Sequence, residues 1–346
     1  AGEAASETDA IEPALAGLPR LIRARADAVL AEADLATGDT RRAAIRYARA
    51  AQTAPEDFAV NYGAAMAHLR AGDDAAAVRY LARALNRRPD VAGLYETIGE
   101  IHYRSGDPAR AARFLESSVA RDPSRRKATY LLARVRYLRG DYAGASALFD
   151  RVADGPADEW SFRAGLDGAL AREALGDPDG AERRYLLAEG GGPYSARAHY
   201  NHALLLAHHG RLDEAIAQLE AAITASPDTL RYRYARARML TTKGDTRAVR
   251  RALFDVLENY PDEPLALLWL GGIDYNRTLY DSAEPFLRRA AAKGSLSDGA
   301  SSSSLAPRRE DPLRPTAPRS SPDASARPPG EAFADLSRYG ADDSEG

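Results

Sequence analysis

Chemistry in this chain would have to come from a short menu of side chains. Cysteine is absent and histidine appears six times, four of them close together as His199, His202 and His208-His209. His199 and His202 lie three apart, so a helix would put them on one face, the spacing a shared metal requires. No carboxylate accompanies them at ligand spacing along the chain. Without cysteine there is no thiolate zinc site, no iron–sulfur cluster and no disulfide. The sequence also lacks a phosphate-cradling glycine loop, a dinucleotide fingerprint, an HExxH pair and a nucleophile elbow. It therefore predicts no catalytic residue, no metal and no cofactor. What remains is arginine and tyrosine. Lysine occurs only at Lys127, Lys243 and Lys293, so the basic charge is nearly all arginine, and there are 17 tyrosines. Such chemistry recognises rather than reacts. A guanidinium grips a carboxylate through two parallel hydrogen bonds, and a phenol ring adds flat contact area at low entropic cost.

The elements that would position these groups are written in a repeat. Gly38, Gly72, Gly106, Gly140, Gly176, Gly210 and Gly244 are spaced by 34 residues, except for one spacing of 36 between Gly140 and Gly176. Asp follows each Gly but one, where Arg211 stands. Five residues after each Gly comes a small residue, such as Ala43, Ala77 or Ala111, and four later a bulky one, such as Tyr47, Leu81 or Leu115. Prolines close most units, at Pro55, Pro89, Pro123, Pro193, Pro227 and Pro261. The pattern specifies a helical hairpin. Gly permits a left-handed turn after the first helix, Asp caps the second, small residues admit close approach and Pro ends the unit. Two extra residues between the fourth and fifth copies, within 153–160, are expected in a loop.

The repeat closely resembles the tetratricopeptide repeat family over residues 24–293. That resemblance implies an all-α, right-handed superhelical solenoid of eight helix-turn-helix units starting near 24, 58, 92, 126, 162, 196, 230 and 264. The eighth copy is imperfect, reading Asn276-Arg277-Thr278-Leu279 where the others have Gly-Asp. The resemblance also implies where a partner would bind, since the first helix of each unit lines a concave groove in that family. Carried onto this sequence, the groove positions hold Tyr103, Lys127, Tyr130, Arg134, Tyr137, Arg163, Arg197, Tyr200, Arg231, Tyr234 and Arg238. From the fourth to the seventh repeat, Tyr103 of the third aside, these form an arginine–tyrosine ladder that suits an extended or acidic peptide segment. Some relatives clamp the carboxylate of chaperone tails. Asn201 and Arg231 match that pattern, but Leu166, Leu204 and Ala235 stand where polar or basic groups are needed, so the clamp is incomplete.

The two ends differ from the repeat. Residues 1–23 read as a flexible segment leading into the first helix, which Pro19 can start. After Lys293 comes a serine run at Ser301–Ser304 and a proline-rich stretch from Pro307 to Pro329. Residues 294–346 are thus expected to be a disordered tail. Within it Phe333, Leu336 and Tyr339 sit three apart, the pattern of a short docking helix over 331–339. No polar-faced helix follows the eighth copy, so its last hairpin should expose apolar surface for a partner chain, a second copy or the tail.

Composition bounds the function. The chain has 346 residues, 45% apolar, with a net charge of −3. No field recruits nucleic acid, which together with the Gly-Asp turns argues against an RNA-reading repeat. No apolar run reaches the length of a bilayer span. The arginine-for-lysine bias and abundant alanine suit a GC-rich bacterial genome. The first residue is Ala1, which a cleaved secretory signal would explain, so the expected setting is periplasmic or extracellular. The reading is a non-enzymatic interaction scaffold within a larger complex, homo-oligomeric or hetero-oligomeric. The alternative is a cytoplasmic adaptor or co-chaperone that holds acidic peptide tails.

Overall fold

The computed structural model describes residues 17–293. Within them it has sixteen α-helices and no strand. The chain divides into two compact units at Val152–Ala153, at the start of the region that holds the two-residue insertion. The first unit holds α1 (Arg20–Ala36), α2 (Thr40–Thr53), α3 (Phe58–Arg70), α4 (Asp74–Arg87), α5 (Ala92–Arg104), α6 (Pro108–Arg121), α7 (Arg126–Leu138) and α8 (Tyr142–Ala153). The second holds α9 (Glu159–Ala174), α10 (Pro178–Glu189), α11 (Gly192–His208), α12 (Leu212–Ala225), α13 (Leu230–Lys243), α14 (Thr246–Asn259), α15 (Pro264–Asn276) and α16 (Tyr280–Lys293). Inside each unit consecutive helices pack as hairpins, and each hairpin packs on the next. The all-α, eight-hairpin expectation matches this element order. The anticipated flexible lead lies largely, and the docking triplet Phe333, Leu336 and Tyr339 wholly, outside the described residues.

Each hairpin is built from the residues that punctuate the repeat. At the turn Gly244 adopts φ +84°, and the following Asp245 amide donates back to Leu240 O at 3.1 Å. Asp245 then accepts from the Ala248 amide at 2.9 Å, capping α14. Asp39, Asp73, Asp107, Asp141 and Asp177 cap their helices the same way. Such a cap contributes about 1 kcal/mol. Arg211 makes no side-chain cap for α12. In the eighth hairpin Thr278 takes the glycine's place and its left-handed conformation, φ 62°. The same backbone bonds form there, Leu279 N to Asp274 O at 2.9 Å, but with a β-branched side chain in a region L-residues avoid. Pro285 also sits inside α16 and removes one helical donor.

The core follows the small–bulky alternation. Tyr185, Leu219 and Leu253 are fully buried, as are Leu81, Leu115 and Phe149 in the first unit. The backbones come so close that a Cβ added to Gly99 would stand 2.7 Å from Leu115 Cγ. Some arginines are structural. Arg46 is 3% exposed and its guanidinium donates to Asp34, itself 1% exposed, at 3.0 Å. Arg42 joins the same carboxylate at 2.6 Å. Arg250 similarly meets the buried Asp274. The insertion is not wholly a loop. Part of its length is helical, because α9 begins at Glu159, three residues before the expected repeat start at Phe162. There Asp158 and Ser161 form a reciprocal capping box. Pro193, expected to close the fifth repeat, instead stands at the start of α11.

Candidate functional site

The first unit brings three of the predicted residues together. Arg134 on α7 places its guanidinium carbon 5.3 Å from the Tyr103 ring of α5 and 5.9 Å from the Tyr130 ring. That is cation–π geometry on two rings. Tyr130 and Tyr137 are nonetheless buried; Tyr130 packs on Phe149 and Tyr137 edge-on against Tyr142. Lys127 pairs with Glu100 at 2.9 Å. Rings here hold hairpins together, although the buried Nε of Arg134 has no hydrogen-bond partner.

The second unit carries the other predicted residues, and they alternate with a residue that sequence reasoning missed. Tyr194 lies in the first turn of α11, ahead of the expected start at Ala196. Its ring stands 5.8 Å from the Arg163 guanidinium carbon and 6.0 Å from that of Arg197. Its hydroxyl donates to Glu159 Oε1 at 2.8 Å. Burial, then this carboxylate, pushes the Tyr194 phenol above its usual value. Arg163 also covers Trp160 at 5.9 Å and lies 3.8 Å from Glu159. On α13 Arg231 stacks over Tyr200 at 4.7 Å, and its Nε donates to the Tyr200 hydroxyl at 3.1 Å. Tyr200 is itself buried, against Tyr232. The Tyr234 hydroxyl donates to Glu263 Oε1 at 3.0 Å, and burial together with that carboxylate raises its phenol strongly. Arg238 is half-buried two turns along α13 from Arg231.

Arg197 differs from its neighbours in pairing. It forms no ion pair among the described residues, and its buried Nε, like that of Arg134, has no hydrogen-bond partner. A buried N–H without an acceptor is a recurrent cost in a native fold, and a carboxylate from outside would relieve it. The chaperone-type clamp stays incomplete, since Leu166 is fully buried and Ala235 is buried.

The histidines have carboxylate neighbours after all, from a different hairpin. His202 Nδ1 lies 2.6 Å from Glu189 Oε1, and His199 Nδ1 lies 3.6 Å from Glu189 Oε2. His199 also meets Gln218 at 2.6 Å, while the His202 ring stacks on Tyr185. Glu189 ends α10 and so is remote from the histidines in helical register. Among the described residues no group of three or more His, Cys, Asp or Glu side chains could hold a metal. The cluster is a buried hydrogen-bonded contact between two hairpins.

Comparison with known proteins places this architecture. A model of the tetratricopeptide repeat matches residues 29–92, 97–159 and 166–229, more than half of the chain. The chain belongs to the tetratricopeptide repeat family. Tetratricopeptide repeat proteins mediate protein–protein interactions. None of the curated proteins is similar to the chain in sequence. Among solved structures, the C-terminal part of a repeat-containing protein from Cytophaga hutchinsonii is similar, with a TM-score of 0.57 and 13% identity, over 68% of this chain and 96% of that one. A tetratricopeptide repeat protein from Parabacteroides merdae gives 0.51 and 17% identity, over 77% and 98%. The pilF protein of Pseudomonas aeruginosa gives 0.50 and 18% identity, over 62% and 97%. At these identities the likeness is one of fold. No helix among the described residues is long and apolar enough to cross a membrane.

Proposed function

We propose that this tetratricopeptide repeat protein is a non-enzymatic scaffold that holds an acidic, extended segment of a partner protein against α11 and α13 of its second unit. The observation that carries the reading is Arg197. Its guanidinium is stacked beside Tyr194, lacks an internal carboxylate and keeps an unused buried donor. Arg231, exposed and held in place by Tyr200, stands at the equivalent position one repeat later. Stacking fixes each guanidinium plane in advance, which lowers the entropic cost of a bidentate bond to an incoming carboxylate.

The test is partner capture from the native organism with the wild-type chain and with Arg197→Glu plus Arg231→Glu. Both side chains lie outside the buried core, so the far-ultraviolet circular dichroism of the variant should match the wild type. The expected result is loss of the principal partners by the variant, with binding that weakens as salt is raised. An unchanged set of partners removes the reading. An exported scaffold and a cytoplasmic adaptor would use the same chemistry; a signal sequence encoded upstream of Ala1 would favour the exported setting.

A further inference from the structure

The first helix of the eighth hairpin departs from its predecessors in what it shows to solvent. On α15 Leu265 is 45% exposed, Leu268 36% and Tyr275 48%. One repeat earlier the equivalent positions on α13 hold Arg231, Tyr234 and Thr241. The two faces adjoin, because Tyr234 bonds to Glu263 at the start of α15 and packs in the same apolar cluster as Leu270. Along the second unit, the face with arginine and tyrosine thus runs into an apolar one at the last hairpin. The bulky position behind it is also incompletely covered. Leu287 is half-buried, whereas its equivalents Tyr185, Leu219 and Leu253 are fully buried. A contiguous apolar surface of this kind marks a docking site.

The chain carries a segment of matching order. Phe333, Leu336 and Tyr339 come first, and Asp342, Asp343 and Glu345 follow. An apolar-then-acidic strip is what a surface that turns from apolar on α15 to cationic on α13 and α11 would take. As a random coil, the roughly 40 residues between Lys293 and Phe333 would reach roughly 30–40 Å, enough to return to these helices, and would keep the strip at about millimolar effective concentration.

We propose that residues 333–345 of this chain dock on its own second unit. Phe333, Leu336 and Tyr339 lie against Leu265, Leu268 and Tyr275, and the acidic residues meet Arg231 and Arg197. The acidic half of the contact rests on the function proposed above; the apolar half does not. A partner would then have to displace the tail, so the tail sets a threshold for binding.

Because the chain has no cysteine, two can be introduced cleanly into the full-length protein, by Asp281→Cys and Ser337→Cys, for paired spin labels. The expected result is a narrow population of short distances. Phe333→Ala with Leu336→Ala and Tyr339→Ala should convert it to the broad distribution of a free tether. These changes lie outside the hairpins and leave folding untouched. Leu265→Glu with Leu268→Glu should do the same from the other side. A broad distribution in the unmodified tail overturns the proposal. So does a short-distance population that vanishes on mixing with excess unlabelled chain, which would mean docking between two copies. Arg197→Glu plus Arg231→Glu separates the two proposals. If the short population survives in that variant while partner capture is lost, the cationic half of the docking fails and the partner reading stands. If partner capture is unchanged while the alanine variant still frees the tail, the partner reading fails and apolar docking stands.

Discussion

Thr278 and its seven glycine counterparts perform the same turn at different cost. A β-branched residue at φ 62° costs about 1–2 kcal/mol relative to glycine. Thr278→Gly should therefore raise stability by about 1 kcal/mol in urea unfolding, a small gain offset in part by the wider freedom of glycine in the unfolded chain. A second residue sets a pH dependence. Tyr47 is buried, and that burial, helped by the Glu32 carboxylate, pushes its phenol up to about 12 from 10. The fold thus favours the neutral phenol. Its contribution is complete below pH 10, where the unfolded chain is also neutral, and is lost as pH rises from 10 to 12. The swing is about 2–3 kcal/mol. Tyr47→Phe should flatten the stability curve between pH 10 and 12 relative to the wild type, leaving its slope near neutrality unchanged.

At the scale of the element, the hairpins work by close approach. Gly99→Ala would put a methyl 2.7 Å from Leu115 Cγ and 3.3 Å from the Leu115 backbone nitrogen. The overpacking should outweigh the helical gain of alanine and cost about 1–2 kcal/mol. Gly272→Ala, on α15 with nothing within 4 Å, should instead gain about 0.5–1 kcal/mol. Opposite signs from the same substitution in two helices, read by urea titration, would separate packing from propensity. The helices themselves were legible because each repeat punctuates its own turn with Gly, Asp and Pro. Their partners were not. Arg125 with Glu96, Arg211 with Glu182 and Tyr194 with Glu159 join residues 29, 29 and 35 apart. Periodicity relates equivalent positions one repeat apart, whereas these contacts join inequivalent ones. Glu189 escaped notice beside His202 for that reason, and Tyr194 because α11 starts a turn early.

For the whole molecule, the sequence conveyed the number of hairpins and their order, since each copy repeats one local rule. It conveyed the candidate surface less well. The arginine-rich background hid which guanidinium groups are structural, such as Arg46 and Arg250, and which, like Arg197, lack a carboxylate inside the fold. That distinction depends on burial and on neighbours in adjacent hairpins. It also carries the partner-capture test, because the Arg197 guanidinium has no carboxylate inside the described fold to pair with.

The strained turn and internal proline of the last hairpin also bear on how the molecule opens. In a repeat array each unit is stabilised mainly by its neighbours, and among the described residues the eighth hairpin has one on one side only. Thr278 and Pro285 further weaken the hairpin whose first helix presents Leu265, Leu268 and Tyr275. Amide hydrogens of α15 and α16 should accordingly exchange with solvent faster than those of α11 to α14, by local fraying rather than global unfolding. A ligand seated there would act as a clasp, and its arrival would register as slowed exchange in these two helices before any other part of the chain responded.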